Sequence, residues 1–365
     1  MTKSIVTGGA GFIGSNLVDE LVKLGHKVIV LDNLNTGRLS NLSQVKDKIE
    51  FVNLDISKNS EVLNNCFSGV DQVFHLAGLA DIVPSITNPS NYFDINVAGT
   101  FNVLEAAKKN NVKKFIYAAS ASCYGIPEKF PTDENSKIKT EYPYALTKFL
   151  GEQLVLHWAK VYNMSNISLR FFNVYGPRSR TTGAYGAVFG VFLAQKLANK
   201  PLTIVGDGNQ TRDFVHVYDV VDALIKAAKS GKIGSVYNVG AGKETSVNSI
   251  ASMVGGDKVN IPKRPGEPDR SLADISKIKK DLNWDPQISI KEGIKMLLEN
   301  INNWKDAPVW TPDSINEATK TWFKFLKKKL KFINETKNCT FRKIKKNYCK
   351  RKAQRKKNSS LSWSF

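Results

Sequence analysis

The sequence contains few of the residues that build metal centres or covalent cross-links. Its 365 residues include four cysteines and four histidines, and the cysteines show no metal-ligand spacing. No apolar run approaches the roughly 20 residues that a membrane-spanning helix needs, and the N-terminus does not resemble a signal peptide. The composition therefore predicts a cytoplasmic chain with no metal site, no disulfide and no transmembrane segment.

Acidic residues are scarce near the C-terminus. The formal net charge is +20, but from Ala318 to Phe365 there are 17 Lys and Arg against one acid, Glu335. Residues 1–317 therefore carry only +4. This distribution predicts a basic, disordered tail over 326–365 and no specific nucleic-acid partner. The tail is either a solvated segment or makes a weak contact with an anionic membrane surface.

A glycine-rich segment between a short apolar run and a helical pattern is the most informative motif. Gly8, Gly11 and Gly14 have the spacing that permits a tight turn and a close approach of the backbone to a pyrophosphate. The N–H groups at the start of the following helix then face the anion. The next strand, 27–31, ends at Asp32, which suits the adenosine ribose hydroxyls and repels a 2′-phosphate. The pattern predicts a dinucleotide site that prefers NAD to NADP.

Apolar strand patterns alternate with helical patterns over the first half of the chain. This order predicts an α/β fold with a doubly wound parallel sheet of the Rossmann type and a smaller C-terminal lobe. We assign residues 1–172 and about 214–239 to an NAD-binding domain, and 173–213 and 240–325 to a substrate-binding lobe. Long helices are expected over Tyr92 to Lys109 and Tyr144 to Val161.

Three residues have the types and positions required for proton transfer next to a dinucleotide. Ser120 ends the predicted fifth strand, while Tyr144 and Lys148 are four residues apart on one helix face. A free tyrosine has a pKa near 10, so it needs a nearby cation to act as a base at neutral pH. We predict that Lys148 supplies this cation. Tyr142 has no lysine four residues later, so we exclude it as the base.

These motifs together resemble those of the extended short-chain dehydrogenase/reductases, and among them the nucleotide-sugar (UDP-hexose) 4-epimerases. The resemblance implies NAD as a tightly bound cofactor and a homodimer that pairs the two long helices. It covers residues 1 to about 325 and is carried by Thr7 to Gly14, Asp32-Asn33-Leu34, His75-Leu76-Ala77, Asn96 to Thr100, Ser120 to Gly125, Tyr144 with Lys148, Arg170 to Arg178, Arg212 to Val217 and Arg264 to Pro268.

The resemblance also implies which residues bind the two ligands. Asp55 has an alternative interpretation as the cap of a helix within 57–67. The implied cofactor-binding residues are Gly8, Gly11, Phe12, Ile13, Gly14, Asp32, Asn33, Asp55, Ile56, Leu76, Ala77, Asn96, Tyr144 and Lys148. The implied substrate-binding residues are Ser122, Asn173, Arg212, Arg270 and Ser271, and the arginines suit the nucleotide diphosphate.

Small residues next to Ser120 favour simple epimerisation over other reactions of this family. The related 4,6-dehydratases place Asp and Glu directly after the catalytic hydroxyl residue, where this chain has Ala121 and Ser122. Without a carboxyl group there, proton transfer at C5 and C6 has no evident agent. In glucose-restricted epimerases a tyrosine stands at the position of Ser271. A serine predicts room for an N-acetyl group, and hence UDP-GlcNAc and UDP-GalNAc as substrates beside UDP-glucose and UDP-galactose.

Two alternatives remain open from the sequence. The first is another nucleotide-sugar enzyme of the same family, such as a UDP-glucuronate 4-epimerase. A UDP-glucuronate 4-epimerase would need a partner in the site for the C6 carboxylate. The alternative from a different class is a non-catalytic NAD-binding protein that acts through its basic tail.

Overall fold

The structure is a computed structural model that describes residues 1–179 and 188–326. The predicted disordered tail beyond residue 326 lies outside the described residues. Within them, no helix combines the length and hydrophobicity needed to cross a bilayer.

The strands of the first half are short and most of their residues are buried, as expected for a parallel sheet that helices cover on both faces. Six consecutive residues of β6, for example, are all buried. In chain order the strands are β1 (Lys3–Thr7), β2 (Lys27–Asp32), β3 (Ile49–Asn53), β4 (Gln72–His75), β5 (Lys114–Ser120), β6 (Asn166–Phe171), β7 (Asn173–Tyr175), β8 (Leu202–Val205), β9 (Thr211–His216), β10 (Ser235–Val239), β11 (Glu244–Ser246) and β12 (Lys258–Ile261).

The helices lie between these strands and after them. A π-helical segment, Asp94–Ala98, joins the fourth and fifth helices. The helices are α1 (Phe12–Lys23), α2 (Glu61–Cys66), α3 (Ile82–Thr87), α4 (Pro89–Phe93), α5 (Gly99–Lys109), α6 (Pro143–Tyr162), α7 (Val188–Leu197), α8 (Val217–Lys229), α9 (Val247–Val254), α10 (Ser276–Leu282), α11 (Ile290–Glu299) and α12 (312–326).

Seven parallel strands form the central sheet in the order β10-β6-β5-β4-β1-β2-β3. Helices α1, α8 and α10 cover one face, where Leu17 and Leu224 are fully buried, and α2, α5 and α6 cover the other, where Leu104 and Val155 are fully buried. The predicted doubly wound parallel sheet is therefore confirmed. Its strand order reverses between β1 and β4, where ligands of such folds bind beyond the carboxyl ends of the strands.

The remaining strands and helices build a second layer beside those carboxyl ends. Strands β11, β9 and β7 form one small sheet and β12 and β8 another. A separate apolar core fills this lobe, and Phe192, Ile250 and Trp304 are buried in it. Strand β9 joins the layers, because Phe214 packs in the lobe while Val215 packs under the central sheet.

One helix differs from the sequence-based expectation. The helix expected from Tyr92 to Lys109 is interrupted by the π-helical segment, whose Asn96 side chain turns inward to bond with the 78–79 loop. Two short helices precede this segment: α3 contains Pro84, and α4 begins at Pro89, where a missing N–H costs nothing.

Candidate active site

The glycine turn joins β1 to α1 at the centre of the sheet. A Cβ on Gly14 would lie 2.1 Å from the Gly8 carbonyl oxygen, and one on Gly8 would lie 2.7 Å from the Ala77 nitrogen. Two of the three glycines are therefore required by contacts within the protein. A Cβ on Gly11 has a single close neighbour, the Gly8 oxygen at 3.1 Å. Gly11 is the N-cap residue of α1 and has no side chain, so a ligand can come close to its backbone.

Asp32 organises the turn from the end of β2. Its carboxylate accepts bonds from the N–H groups of Ala10 (2.9 Å) and Leu34 (2.8 Å). Burial nevertheless raises its pKa, and these two bonds oppose that shift. The carboxylate thus lies beside the glycine turn, where the expected ribose contact requires it. Asn33, by contrast, is exposed and its side-chain oxygen accepts a bond from Asn35.

Three other predicted cofactor residues are committed to contacts within the protein. The Asn96 amide bonds with both backbone groups of Leu79 and with Thr147, so it positions the loop beneath the site. Ile56 packs against Gly99. Asp55 accepts two bonds from Ser57, and the cap of α2 is Ser60. The helix-cap interpretation of Asp55 is therefore wrong, because α2 begins later than its polar pattern suggests.

We predict that Gly11→Ala weakens NAD binding while the fold is kept. Ala tolerates the Gly11 backbone angles (φ −78°, ψ −174°), but its methyl group would stand where the pyrophosphate approaches. Overpacking of this kind costs about 1–3 kcal/mol, or roughly 5- to 150-fold in affinity. NAD content of the purified protein, measured after denaturation, checks this. Gly231→Ala is the control, since a Cβ there meets no atom within 4 Å. Equal NAD content in both variants would contradict the assignment.

A cavity of about 570 Å³ opens between the carboxyl ends of the sheet and the second lobe. It brings together most of the predicted site residues from distant parts of the chain. Those that line it are Phe12, Ile13, Leu76, Ser120, Ser122, Tyr144, Lys148, Asn173, Arg212, Arg270 and Ser271.

The hydroxyl group of Ser120 is oriented by Ser122. Its oxygen accepts bonds from the Ser122 N–H (3.2 Å) and the Ser122 hydroxyl (2.9 Å). Ser120 ends β5 and caps the short 3₁₀ turn, Ala121–Tyr124, that contains Ser122. Because two donors already occupy the Ser120 oxygen, its own hydrogen is left to be donated into the cavity. Ser122 therefore acts through Ser120 as well as lining the site.

Burial dominates the electrostatics of the tyrosine–lysine pair. It raises the pKa of Tyr144, and interactions with the hydroxyls of Ser120 and Ser122 oppose the shift. Burial also lowers the pKa of Lys148 to about 7, and Glu152 opposes that shift. The Lys148 ammonium lies 4.5 Å from the centre of the Tyr117 ring. The protein's own groups thus leave the phenol less acidic than the sequence suggested, because desolvation outweighs the two hydroxyl groups that oppose it.

A buried ion pair lies one turn beyond Lys148 on α6. The Glu152 carboxylate accepts bonds from Arg170 at 2.9 and 2.6 Å and from Ser168 at 2.9 Å. Arg170 also donates to the Tyr124 hydroxyl, and Tyr124 lines the cavity. The pair fixes α6 against β6 and β5, and therefore holds Tyr144 and Lys148 in place over the strand ends.

Charged residues on the far wall of the cavity are paired with one another. Arg264 binds Glu267 at 2.8 Å, and Arg212 lies 3.8 Å from the other oxygen of the same carboxylate. Arg270 binds Glu244 through two bonds of 2.6 and 2.7 Å and is half exposed. Arg212 and Arg270 thus reach the cavity, as predicted, but each has an acidic partner that the sequence did not reveal.

Several cavity residues were not predicted from the sequence. Tyr142, excluded as the base, stacks nearly parallel to Tyr144 with 6.3 Å between ring centres. Arg264 and Glu267 belong to a motif that carried the resemblance, yet no role was assigned to them. Trp322 comes from α12, more than 50 residues later in the chain. Only the folded structure brings that helix to the site, so no local signal could have identified it.

The site and the fold together define a dinucleotide-dependent enzyme of the short-chain dehydrogenase/reductase type. Residues 4–240 match the family described as "NAD dependent epimerase/dehydratase family". The chain belongs to this family, and the expectations of an extended short-chain dehydrogenase/reductase and of NAD as cofactor are confirmed. The glycine turn and the buried Asp32 beside it fit this cofactor.

Similar proteins narrow the class to nucleotide-sugar enzymes. A UDP-glucose 4-epimerase of Mycolicibacterium smegmatis is 36% identical, and the match covers 82% of this chain and 99% of the relative. A crystal structure of a Thermotoga maritima UDP-glucose 4-epimerase with UDP-glucose is 34% identical with a TM-score of 0.78, covering 83% and 99% of the two chains. A UDP-glucuronic acid 4-epimerase from Bacillus cereus, in complex with UDP-glucuronic acid and NAD, is 32% identical with a TM-score of 0.76, covering 83% and 99%. The protein is an enzyme of the nucleotide-sugar epimerase group.

Proposed function

We propose that the protein interconverts the C4 epimers of UDP-hexoses, UDP-glucose with UDP-galactose and also UDP-GlcNAc with UDP-GalNAc. The observation that carries this proposal is that Ser120, Tyr144 and Lys148 share one cavity with arginines of the second lobe, which lie opposite them. Such a cavity can hold a sugar over the proton-transfer residues while its diphosphate faces cationic side chains.

The chain's own residues would handle the proton and the orientation of the sugar. Bound NAD supplies hydride acceptance and return at C4, and its oxidised ring adds a positive charge. Tyr144 removes the proton of the 4-hydroxyl group and later returns it. Ser120, whose oxygen already has two donors, holds the 4-oxygen with its own hydrogen. The 4-keto sugar turns between the two half-reactions, so the same residues serve both faces.

The absence of a carboxyl side chain beside Ser120 supports epimerisation alone. Ala121 and Ser122 occupy the positions that follow it, and the Ser122 hydroxyl is engaged with Ser120. Among residues 1–179 and 188–326, the acids that line the cavity are Asp81 and Glu267, and Glu267 is bound to Arg264. Neither belongs to the turn after β5 from which a dehydratase would draw its acid.

Turnover with three sugars tests the proposal. The purified protein, without added cofactor, is mixed with UDP-glucose, UDP-GlcNAc or UDP-glucuronate, and the C4 epimers are resolved by NMR. We expect conversion of the first two. Conversion of UDP-glucuronate alone would assign the chain to the activity of the Bacillus cereus enzyme, and no conversion of any sugar would overturn the proposal.

Ser271 lines the cavity, which supports its proposed role in admitting an N-acetyl group. We predict that Ser271→Tyr lowers turnover of UDP-GlcNAc roughly 100-fold, because the added ring fills the space of the acetamido group, and leaves UDP-glucose turnover within a few-fold. Comparison of kcat/KM for the two sugars checks this. Ser271→Ala is the control and should retain both activities. Unchanged discrimination in Ser271→Tyr would show that another residue limits the sugar.

We also propose that the enzyme is a homodimer that pairs helices α5 and α6. These helices carry large apolar side chains that stand exposed, such as Phe101, Leu146 and Val161. A neighbouring groove is lined by Phe93, Pro143 and Leu146. Exposed apolar residues grouped on adjacent helices are typical of an interface. The molar mass in solution, measured by light scattering, checks this, and a monomer at all concentrations would contradict it.

A further inference from the structure

Helix α12 presses an apolar face against the rim of the cavity. Ile315, Thr319 and Trp322 follow at helical spacing and are all buried. Ile315 packs with Val205 and Ile261, the last residues of β8 and β12. This face therefore anchors the helix to the second lobe, and its later part reaches the cavity, where Trp322 contributes to the lining.

Trp322 makes two contacts with one loop, 263–271. Its indole N–H donates to the Pro265 carbonyl oxygen at 2.7 Å. The guanidinium carbon of Arg264 lies 5.5 Å from the centre of the ring, within the range of a cation–π contact. Gly266, which follows Pro265 directly, has a φ of +79°, an angle that glycine adopts without strain, so the loop turns next to the carbonyl that the indole binds. The indole therefore fixes both the backbone and the first arginine of the loop.

The loop carries the charges that face the cavity. Arg264 binds Glu267, and Glu267 in turn approaches Arg212, which donates to the Thr211 carbonyl oxygen. Burial lowers the pKa of Arg212; Glu267 opposes that shift and Arg264 adds to it, so the three groups form one electrostatic unit. A shift of the loop would move Glu267 away from Arg212 and change the charge offered to a diphosphate.

We propose that Trp322 is a positioning residue for the nucleotide-sugar site: from α12 it locks the 263–271 loop and thereby sets the arrangement of Arg264, Glu267 and Arg212. This inference rests on the proposed UDP-sugar substrate. Trp322 acts on the binding of the nucleotide sugar. It lies on the cavity wall formed by the second lobe and not on the wall that carries Ser120, Tyr144 and Lys148.

Replacing Trp322 by Phe tests this with little disturbance of packing. Phenylalanine keeps an aromatic ring at this position, but the hydrogen bond from the indole N–H to the Pro265 carbonyl oxygen is lost. We expect KM for UDP-glucose and the Kd of UDP to rise about three- to tenfold, the worth of one neutral hydrogen bond, while kcat and NAD content change less than twofold. Trp322→Ala should weaken UDP binding further, because the stacking on Arg264 is lost as well.

Trp284→Phe is the matched control. Trp284 is equally buried and also donates its indole N–H to a backbone carbonyl, that of Asp219 at 3.0 Å, but it packs under the central sheet. It should lose stability without any change in KM or UDP affinity. Equal effects of Trp322→Phe and Trp284→Phe on UDP affinity, or none from Trp322→Phe, would overturn the proposal.

Calorimetric titration with UDP separates this proposal from the proposed function. If the parent converts none of the sugars yet Trp322→Phe still weakens UDP binding selectively, the positioning role stands and the epimerase activity fails. If the parent converts sugars and Trp322→Phe binds UDP as tightly as the parent does, the positioning role fails alone.

Discussion

Tyr144→Phe is expected to lower the rate of C4 epimerisation by about 10²–10⁴-fold, the usual contribution of a positioned general acid–base group. The phenol is the group that would take the sugar proton, and phenylalanine keeps its ring while removing that capacity. The substitution leaves the cavity otherwise intact, so UDP affinity and NAD content should stay within a few-fold of the parent. Steady-state kinetics with UDP-glucose, together with UDP titration, check both parts.

Tyr142→Phe provides the control for this prediction. The Tyr142 ring stacks on that of Tyr144 and lines the same cavity, so the pair of variants compares two phenols in one environment. We expect Tyr142→Phe to keep the rate within about tenfold, in line with the loss of one ordinary hydrogen bond. Equal losses in both variants would remove the reason for assigning the base to Tyr144. Full activity in Tyr144→Phe would show that a group other than Tyr144 acts as the base.

Glu152→Gln is expected to cost about 3–5 kcal/mol of unfolding free energy, because it leaves the buried Arg170 guanidinium without a counter-charge. The side chains of both partners are almost completely buried, with 6% of Arg170 and 1% of Glu152 exposed. The melting temperature should fall by several degrees. Thermal or chemical unfolding followed by circular dichroism measures the change.

The surface pair of Glu20 and Lys23 is the matched control for Glu152→Gln. The Lys23 nitrogen and the Glu20 oxygen are 3.1 Å apart, but 71% of the Lys23 side chain and 38% of the Glu20 side chain are exposed. We expect Glu20→Gln to change stability by less than about 1 kcal/mol. Similar losses in the two variants would show that burial does not set the cost of breaking the ion pair.

Much of the central sheet and its glycine turn could be predicted from the sequence because their signals are local. Buried parallel strands are continuous apolar runs, and the Gly8 to Gly14 spacing is dictated by contacts across one turn. Helix α6, Pro143–Tyr162, begins and ends within one residue of the helix expected over Tyr144 to Val161. The short strands β7, β9, β11 and β12 of the second lobe were not anticipated, because pairing partners distant in the chain determine them and their own composition is polar.

The site shows the same division between local and distant signals. Ser120, Tyr144 and Lys148 could be recognised from the sequence. Ser120 ends a predicted strand, and the other two residues are four positions apart on one predicted helix. Their electrostatics could not, because the burial that raises the pKa of Tyr144 and lowers that of Lys148 depends on the surrounding fold. Likewise, the acidic partners of Arg212 and Arg270 come from segments distant in the chain: Glu267 from the 263–271 loop and Glu244 from the start of β11.

The path of the chain between the layers limits how this enzyme can be re-engineered. After β6 the backbone enters the second lobe, returns through β9 to supply α8 and β10 to the central sheet, and then leaves again. A fragment ending near residue 172 would lack the strand that pairs with β6 and the helix that covers it. The second lobe, and with it the sugar preference, therefore cannot be exchanged between relatives as one continuous segment of the chain. A chimera must exchange two separated inserts and keep the returning strand, or change single wall residues.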